Sequence, residues 1–422
     1  MYPFDSMEYE PESSLAQAYR LRSAGLVVLL SSDAEFAERQ QSPWSLGAQL
    51  SPSCIVRPRD TQEVSIAIRS LVANSCSFAV RSGGHTPWAG ASSMSGGIVL
   101  DLGLMAHTRL NEMHDAADIG PGARWNAVYA ELAQYGRVVA GGREGNVGVG
   151  GLILGGGNTF LTAKTGFACD TLLECEIVLA DGSIIVANAK QNSDLLWALK
   201  GGSNNFGVVT RFRMRTFPAT ECWGGLTIYP KQASSRAVQN LIEFTDNLHK
   251  MQDSNLLCFF AYTVPEHSMP PNYHNIFFTA TLKNDSRIAS HAVELHEALA
   301  AEFQVEIPDG DFWTQCLLQP LPMLYGARSA AAGGNAMGLE RQEANGLLFV
   351  AVAMVRTASQ QEWAYPKIKS LVEAVKAFAA ATVKGGNLDW VELYKAGPSG
   401  GQVRSRAGFS EALPGGFKID AA

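Results

Sequence analysis

The chain of 422 residues has few charged residues and no long apolar run, and these two deficits exclude whole classes of protein. Charged side chains make up 17% of the residues and hydrophobic ones 46%, whereas a disordered chain is rich in charge and poor in apolar residues. The longest apolar runs, such as Gly25–Leu30, are much shorter than the about 20 residues that span a bilayer. We therefore predict a folded chain with a large core and no membrane partner.

A basic excess and closely spaced cysteine pairs are also absent. The 33 Lys and Arg residues against 40 Asp and Glu give a net charge of −7, so the chain as a whole does not attract nucleic acid. The seven cysteines include no Cys-x-x-Cys pair, which argues against a metal site and favours buried free thiols in a reducing compartment. The acidic N-terminal residues contain no apolar signal segment, so we expect an intracellular, cytoplasmic protein.

Hydrophobic periodicity and turn residues divide the chain into two parts that meet near Pro218. Before Pro218, the predicted helices begin at 15, 60, 125 and 194, and Asp60 is the predicted cap of the second. The predicted strands lie at 26–30, 54–56, 77–81, 97–101, 172–181, 183–188 and 207–217, and Asp181-Gly182 predicts a hairpin between 172–181 and 183–188. After it, strands are predicted at 225–229, 256–264, 275–282 and 346–356, helices at 233–250, 286–303 and 361–380, and a flexible loop at 329–335. This interleaving indicates an antiparallel sheet backed by helices.

Glycine is concentrated in one stretch of the chain, because 18 of the 41 glycines lie within residues 83–157. Two segments there are typical of ligand-binding backbone, Val80–Gly90 and Gly141–Asn158. Successive backbone N–H groups in such turns can point at one anion, and Arg81 and Ser82 can add further donors. Both segments therefore predict close contact with a phosphate group or with a flat ring.

A dinucleotide-binding fingerprint is the competing interpretation of the second segment. Gly148-x-Gly150 has the first spacing, and Asp170 lies about 20 residues further on, where a ribose-binding acid is expected. That fingerprint also needs a helix after the glycines, and the glycine triplet at 155–157 disfavours one, so we reject it. His85 taken alone would be an ordinary loop histidine, but directly after a Gly-Gly turn its imidazole would stand beside the bound group.

Six motifs then identify a family. They are Arg81-Ser-Gly-Gly-His85, Gly97-Ile-Val-Leu-Asp101, Gly120-Pro-Gly122, Val147-Gly-Val-Gly-Gly151, Asp194–Gly202 and Asn204–Val209. In this order they resemble the FAD-linked oxidoreductases of the vanillyl-alcohol oxidase and p-cresol methylhydroxylase (PCMH) fold. Gly84–Gly90 and Pro414–Ile419 are similar to fungal members of its berberine-bridge-enzyme-like, hydroxynicotine-oxidase-like branch. The resemblance covers nearly the whole chain and is specific for fold and cofactor rather than for substrate.

The resemblance implies an α+β, two-lobed FAD-binding fold of the PCMH type with a second domain of antiparallel sheet and helices. It assigns 1–217 to the FAD-binding domain, with subdomains at about 1–106 and 107–217, and 218–385 to the substrate domain. Residues 386–422 would return to the FAD lobe. This return segment is shorter than in the family and lacks its motifs, which puts activity in question more than fold.

In the family, the Arg-Ser-Gly-Gly-His loop holds the FAD pyrophosphate, and its histidine bonds covalently to the flavin 8α-methyl group. That role maps onto His85. A second link would come from a cysteine where this chain has Glu144, so we expect a single link. Val147 falls at the oxygen gatekeeper position, where valine is associated with oxidases. The residues that the resemblance assigns to FAD are Arg81, Ser82, Gly83, Gly84, His85, Gly90, Val147, Gly150, Gly151, Gly155, Asn158, Asp170, Ile177, Asn205, Gly207 and Val208.

The implied chemistry is dehydrogenation, in which hydride passes from a substrate carbon to flavin N5 and a general base takes the substrate proton. Molecular oxygen then reoxidises the flavin. The segment Trp390–Lys395 matches the strand that supplies the base in the family, and Glu392 and Tyr394 are its two candidates. Their alternative interpretation is an ordinary strand end.

We therefore predict an FAD-dependent oxidase that acts on a small organic alcohol, amine or polycyclic intermediate in secondary metabolism. Two alternatives stay open. One is an oligosaccharide oxidase, and the other is a flavin-bound cyclase or redox-inactive scaffold, which the missing C-terminal motifs favour. The expected partners are a small-molecule substrate and molecular oxygen, and the sequence does not identify the substrate.

Overall fold

The structure is a computed structural model that describes residues 14–262 and 272–382. The first part of the chain forms a four-stranded sheet with helices against it. Its elements are α1 (Ser14–Ser23), β1 (Val27–Leu29), α2 (Ala34–Gln40), β2 (Cys54–Arg57), α3 (Thr61–Ala73), β3 (Phe78–Arg81) and β4 (Ile98–Asp101). The strand order is β1-β2-β4-β3, and β2 and β3 are both parallel to β4. Because parallel strands end at the same edge, Arg81 and Asp101 lie side by side.

Helix α3 shows how the local sequence builds this layer. The carboxylate of Asp60 accepts a hydrogen bond of 2.9 Å from the Glu63 amide, which confirms the predicted cap. Val64, Ile68 and Leu71 recur at helical spacing, and all three are buried in the core beneath the sheet.

A second and larger sheet follows in the chain. Its elements are β5 (Thr108–Leu110), β6 (Ala116–Ile119), α4 (Trp125–Ala133), β7 (Arg137–Val139), α5 (Val149–Leu154), α6 (Thr162–Thr165), β8 (Leu172–Val178), β9 (Ile184–Asn188), α7 (Ser193–Leu199) and β10 (Val208–Pro218). The long strand β10 lies in the middle, antiparallel to β6, β7 and β8. The predicted hairpin is confirmed, because β8 and β9 pair around Gly182, whose φ of +79° favours glycine.

The third sheet is antiparallel throughout, as predicted, and carries helices on one face. Its elements are α8 (Ser234–Asn247), β11 (Cys258–Tyr262), β12 (His274–Lys283), α9 (Ser286–Glu306), β13 (Phe312–Leu321), α10 (Met323–Ala331), β14 (Gly346–Val355) and α11 (Ala358–Thr382). The strand order is β11-β13-β14-β12. The first two sheets belong to the first lobe, and the third sheet with its helices forms the second. All ten residues of the central strand β14 are buried, because their side chains alternately face the helices of the second lobe and the first lobe.

Two predictions after Pro218 are wrong. Residues 225–229 form no strand, and the side chains of Leu226 and Ile228 are 77% and 85% exposed. Their alternation favours a strand, but no strand in the described ranges pairs with them. The flexible loop predicted at 329–335 is wrong for its first part, because α10 continues to Ala331, and the residues at its two ends, Ser329 and Asn335, are fully buried.

Two further expectations concern cysteines and membrane spans. Cys54, Cys169, Cys175 and Cys316 are buried free thiols, as predicted, whereas Cys222 is exposed. Across residues 14–262 and 272–382, no helix has the length and apolar character needed to cross a membrane.

Candidate functional site

A buried ion pair anchors the first glycine turn at the edge of the first sheet. Arg81 Nη2 donates to Asp101 Oδ2 at 2.9 Å, and both side chains are fully buried. Arg39 donates to the same oxygen through Nε at 3.0 Å and Nη2 at 2.7 Å. Burial acts to raise the pKa of the Asp101 carboxyl, but Arg81 and Arg39 outweigh it, so the pKa lies below its usual range. The Arg81 guanidinium is thus engaged in the buried ion pair that anchors the turn. The backbone of the turn is therefore the part that can contact FAD.

The two glycine segments of the sequence meet at Gly83 and Gly148. A Cβ atom added to either residue would lie 2.5 Å from backbone atoms of the other, so only glycine allows this approach. Ser82 Oγ donates to the Pro121 carbonyl at 2.5 Å and accepts from the Gly150 amide at 3.3 Å. The structure therefore brings together three of the residues predicted to bind FAD: Ser82, Gly83 and Gly150.

Arg124 adds a further tie, which sequence reasoning missed. Its guanidinium donates to the Gly83 carbonyl at 3.1 Å and also bonds the Asn146 carbonyl, so one side chain holds both glycine segments. Arg124 follows Gly120-Pro-Gly122, a motif that the sequence analysis noted without assigning it a contact. The position of this basic residue beside a glycine-rich turn is the sequence signal that could have predicted the contact.

His85 stands at the end of the first turn, after Gly84 with a φ of +65°. Its half-buried imidazole stacks on the ring of Trp44, with centroids 4.5 Å apart and planes 6° apart. Burial lowers the pKa of His85, and the charge of Glu144 opposes this shift only in part. The imidazole is therefore neutral at pH 7, with an unprotonated nitrogen that can act as a nucleophile.

The third sheet covers both glycine segments with the face opposite its helices. Phe277 of this face packs its edge on Trp44, with centroids 5.8 Å apart. From the second segment, Arg143 Nη2 donates to Gln319 Oε1 at 2.6 Å. We call this face the wall. In cross-strand rows it consists of Phe259, Leu317, Val350 and Thr279; Ala261, Gln315, Val352 and Phe277; Trp313, Met354 and Asn275; and Gln319, Leu348 and Thr281.

The wall is apolar and uncharged. Nine of its fourteen residues are apolar, none is charged, and two glutamine carbonyl oxygens already accept hydrogen bonds from Trp313 and Arg143. Phe259 is 43% exposed, and Phe277, Trp313 and Leu317 are half-buried. Eight of the fourteen are buried, and the part of the wall that a ligand can touch consists of Phe259, Ala261, Phe277, Thr279, Trp313 and Leu317. Five of these six side chains are apolar, so this part favours contact with apolar rings over contact with a ligand rich in hydroxyl groups.

Several predicted FAD residues lie along the second glycine segment. Val147 is half-buried and its carbonyl accepts from the Trp125 amide at 3.2 Å. Gly150 and Gly151 lie within α5, and Gly155 ends that helix. Asn158 follows and accepts a hydrogen bond of 2.9 Å from Thr162 Oγ1. Gly90 lies five residues after His85 and has a φ of +85°.

Asp170 lies deep in the contact between the lobes. Its carboxylate accepts hydrogen bonds from Ser329 Oγ at 2.6 Å, Asn335 Nδ2 at 2.9 Å and the Phe167 amide at 2.8 Å. Burial raises the pKa of Asp170, and these hydrogen bonds oppose the shift. The structure thus uses the Asp170 side chain to tie α10 to the first lobe.

The remaining predicted residues lie around the start of β10 or outside the described residues. The Ile177 and Val208 side chains are buried in the core, and Gly207, with a φ of +140°, packs against Ile177. Asn205 is exposed and donates to the Gly202 carbonyl at 2.7 Å. The predicted catalytic bases Glu392 and Tyr394 lie outside the residues that the structure describes.

The residues of the first turn fit an FAD cofactor. Gly83 and Gly84 offer bare backbone on a buried anchor, His85 offers a neutral imidazole, and Trp44 connects His85 to the wall through Phe277. In the part of the chain that the structure describes, no group of three His, Cys, Asp or Glu side chains can hold a metal ion.

These features place the chain in the class of FAD-binding oxidoreductases, and comparison with known proteins gives the family. The family model of the FAD binding domain matches residues 52–188, which include both glycine segments. The chain is 30% identical to the FAD-dependent monooxygenase sdcF of Emericella nidulans, over 97% of this chain and 99% of that protein. It belongs to this family of FAD-linked oxidoreductases and is an enzyme of that class.

Solved structures agree on the fold. The 6-hydroxy-D-nicotine oxidase of Arthrobacter nicotinovorans aligns over 90% of this chain and 89% of its own, with a TM-score of 0.68 and 22% identity. The glucooligosaccharide oxidase of Acremonium strictum, described as carrying a 6-S-cysteinyl, 8α-N1-histidyl FAD, aligns over 86% and 87%, with a TM-score of 0.67 and 18% identity. The predicted PCMH-type fold, with its antiparallel second domain, is confirmed.

The contact between Gly83 and Gly148 generates a first prediction. Gly83→Ala places a methyl group 2.5 Å from the Gly148 backbone and forces the segments apart, at a cost of about 1–3 kcal/mol. We expect purified Gly83→Ala protein to carry much less flavin than the unsubstituted protein, measured as the ratio of visible flavin absorbance to protein absorbance. Gly224→Ala is the control, since its Cβ meets nothing within 4 Å. Equal flavin content in all three proteins would show that the close contact between Gly83 and Gly148 is not needed for flavin binding.

The buried ion pair generates a second prediction. Asp101→Asn leaves Arg81 buried without a counter-charge, so we expect the free energy of unfolding to fall by about 3–5 kcal/mol in urea titrations. Because the folded pKa of Asp101 is depressed, its contribution is present above the ordinary aspartate pKa near 3.9 and is lost as the pH falls below it.

The matched control for this variant is Glu343→Gln, which neutralises an exposed carboxylate and should change the free energy of unfolding by at most about 0.5 kcal/mol. Between roughly pH 4 and 2, the unsubstituted protein should lose stability more steeply than Asp101→Asn. Parallel acid titration curves for the two proteins would show that the Asp101 charge does not stabilise the fold.

Proposed function

We propose that the protein is an FAD-dependent oxidase that dehydrogenates a small, largely apolar alcohol, amine or polycyclic intermediate in secondary metabolism. The observation that carries the proposal is a glycine turn that ends in the His85 imidazole, which stacks on Trp44, whose ring packs in turn on the apolar wall through Phe277. When bound, FAD accepts hydride from the substrate carbon and passes the electrons to molecular oxygen. The chain's own residues hold the cofactor, shape the substrate cavity and take the substrate proton.

Residues of the first lobe would hold the cofactor. Backbone N–H groups at Ser82–Gly84 would bind its pyrophosphate, and His85 would be its covalent attachment point. A histidyl link occurs in the Acremonium strictum oxidase, whose flavin carries a cysteinyl link as well. In this chain Glu144 replaces the second-link residue, so we propose a single link. Residues 1–217 would form the FAD domain, 218–385 the substrate domain and 386–422 a return segment.

The wall supports an apolar substrate over the alternative of an oligosaccharide. A sugar chain presents many hydroxyl groups, and each hydroxyl buried without a hydrogen bond costs about 1–3 kcal/mol. The amide side chains of the wall are buried, the carbonyl oxygens of Gln315 and Gln319 are already hydrogen bonded, and the accessible part of the wall offers a sugar only the Thr279 hydroxyl. A flat, mainly hydrocarbon substrate meets no such cost against Phe277 and Leu317.

Proton transfer and oxygen access are assigned to two further places. Glu392 and Tyr394 are the proposed alternative bases for the substrate hydroxyl or amine proton. Val147, on the second glycine segment beside Gly148, is the proposed gate for oxygen. The relative from Emericella nidulans is named a monooxygenase, so the fate of oxygen is a direct test of the oxidase proposal.

The covalent link generates a prediction. Pure protein should be yellow, and the colour should stay with the acid-precipitated pellet. His85→Ala should release the colour into the supernatant while FAD binding itself survives, because the glycine turn is unchanged. Mass spectrometry of peptides should find flavin on His85 and on no cysteine. Flavin that washes freely from the unsubstituted protein would contradict the covalent link.

The substrate and oxygen assignments generate a joint prediction. Under anaerobic conditions, polycyclic and benzylic alcohols or amines should bleach the flavin, and chito- or gluco-oligosaccharides should not.

Air should then restore the spectrum with one peroxide per flavin, and Val147→Leu should slow this step roughly tenfold by filling the space that oxygen needs. Oxygen atoms from labelled O2 in the product would instead identify a monooxygenase, and no bleaching by any compound would favour the scaffold alternative.

A further inference from the structure

The stack of Trp44 on His85 has a consequence for how the cofactor becomes attached, and this inference rests on the proposed covalent link. We propose that Trp44 is a positioning residue for flavin attachment. Its ring holds the His85 imidazole in one plane, which limits the directions in which a ring nitrogen can bond to the flavin 8α carbon. Trp44 lies outside both glycine segments, between α2 and β2.

The geometry of the pair supports positioning rather than loose contact. The ring centroids are 4.5 Å apart and the planes are within 6° of parallel. A histidine ring turns freely about its last side-chain bond, because that torsion has broad, two-fold preferences. A flat neighbour at stacking distance removes most of this freedom, so the plane of the imidazole is fixed before the cofactor binds.

Trp44 is itself held from both lobes. Its backbone N–H donates to the Gly84 carbonyl at 2.9 Å, which ties it to the turn that carries His85. The next two residues bond the start of β12: the Asn275 amide donates to Ser45 Oγ at 3.1 Å, and the Leu46 amide donates to the Tyr273 carbonyl at 3.0 Å. The backbone around Trp44 is therefore fixed by both lobes, and the Phe277 ring packs against the indole at a centroid distance of 5.8 Å.

The bond that Trp44 would promote balances with oxygen as the oxidant. The unprotonated imidazole nitrogen would bond to the flavin 8α carbon as that carbon loses one hydrogen, and the other imidazole nitrogen would release its proton, so that one C–N bond replaces one C–H and one N–H bond. The two electrons released remain on the flavin until molecular oxygen accepts them and becomes hydrogen peroxide. The requirement on the protein is a neutral imidazole with fixed orientation, and burial together with the Trp44 ring supplies both.

Simple space filling is the competing explanation, and two substitutions separate it from positioning. Trp44→Phe keeps a flat ring that can stack on the imidazole, while Trp44→Leu introduces an apolar side chain that is close to phenylalanine in volume but has no flat face. If Trp44 only fills space, the two variants should behave alike. If it positions His85, the phenylalanine variant should attach flavin and the leucine variant should be slow.

The experiment follows flavin attachment in the full chain. Each protein is produced under riboflavin limitation and mixed with excess FAD, and samples are denatured at intervals and scored by flavin fluorescence in the gel band. We expect Trp44→Phe to attach flavin within about twofold of the unsubstituted rate, and Trp44→Leu to be roughly tenfold slower while still binding FAD non-covalently. Trp363→Leu makes the same replacement in the second lobe, where the ring packs on Phe303, and should attach flavin at the unsubstituted rate.

The outcomes distinguish this inference from the proposed function. Covalent flavin in the unsubstituted protein with equal rates in Trp44→Leu would overturn the role of Trp44 and leave the proposed function standing. Equally slow attachment in Trp44→Phe and Trp44→Leu would also overturn it, as would a Trp44→Leu protein that binds no FAD. Absence of covalent flavin in the unsubstituted protein would overturn the proposed link at His85 and, with it, this inference.

Discussion

The buried ion pair of Arg81 and Asp101 is the interaction on which the rest of the site depends. It joins the ends of two parallel strands at the point where the chain leaves the sheet for the glycine turn. Two charges are stable inside a protein only when each is paired, so the pair fixes where β3 stops and which way the turn points. Arg39 extends the arrangement to α2, whose following loop carries Trp44.

Close approach of backbone is the second constraint, and it follows from the first. Once the turn is anchored, Gly83 meets Gly148 with no room for a side chain on either residue. Arg124 holds the carbonyl groups of both segments, and Ser82 links the turn to Pro121 and Gly150. The result is a rigid patch of N–H groups and bare backbone beside one imidazole, which suits a cofactor that combines phosphate groups with a flat ring.

The second lobe completes the site by contacts spread over its whole edge. Arg143 reaches Gln319, Asp170 is bonded by Ser329 and Asn335, and the Trp44 loop is bonded to β12. Because these contacts come from four separate stretches of chain, the wall is held at a fixed distance from the glycine turn. The proposed preference for an apolar substrate rests on the apolar side chains of this wall.

The sequence by itself determined the parts of the protein that are local. Glycine runs, the Asp60 cap, the hairpin at Gly182 and the place of His85 all act through neighbouring residues, so their patterns survive in the linear chain. Local pattern also explains the two failures. Residues 225–229 alternate like a strand but have no partner in the described ranges, and residues 329–335 resemble a loop but are held by a carboxylate far away in the chain.

Only the tertiary structure decided what each site residue contacts. Arg81 points inward and pairs with Asp101, and the Asp170 side chain lies in the contact between the lobes. Trp44 stacks on His85, and the wall is formed by residues from four strands. These partners are separated by up to 165 residues, as Asp170 and Asn335 are, and no spacing rule connects positions so far apart. Charge pairing, ring stacking and apolar packing act across space, and they are fixed only when the lobes have packed together.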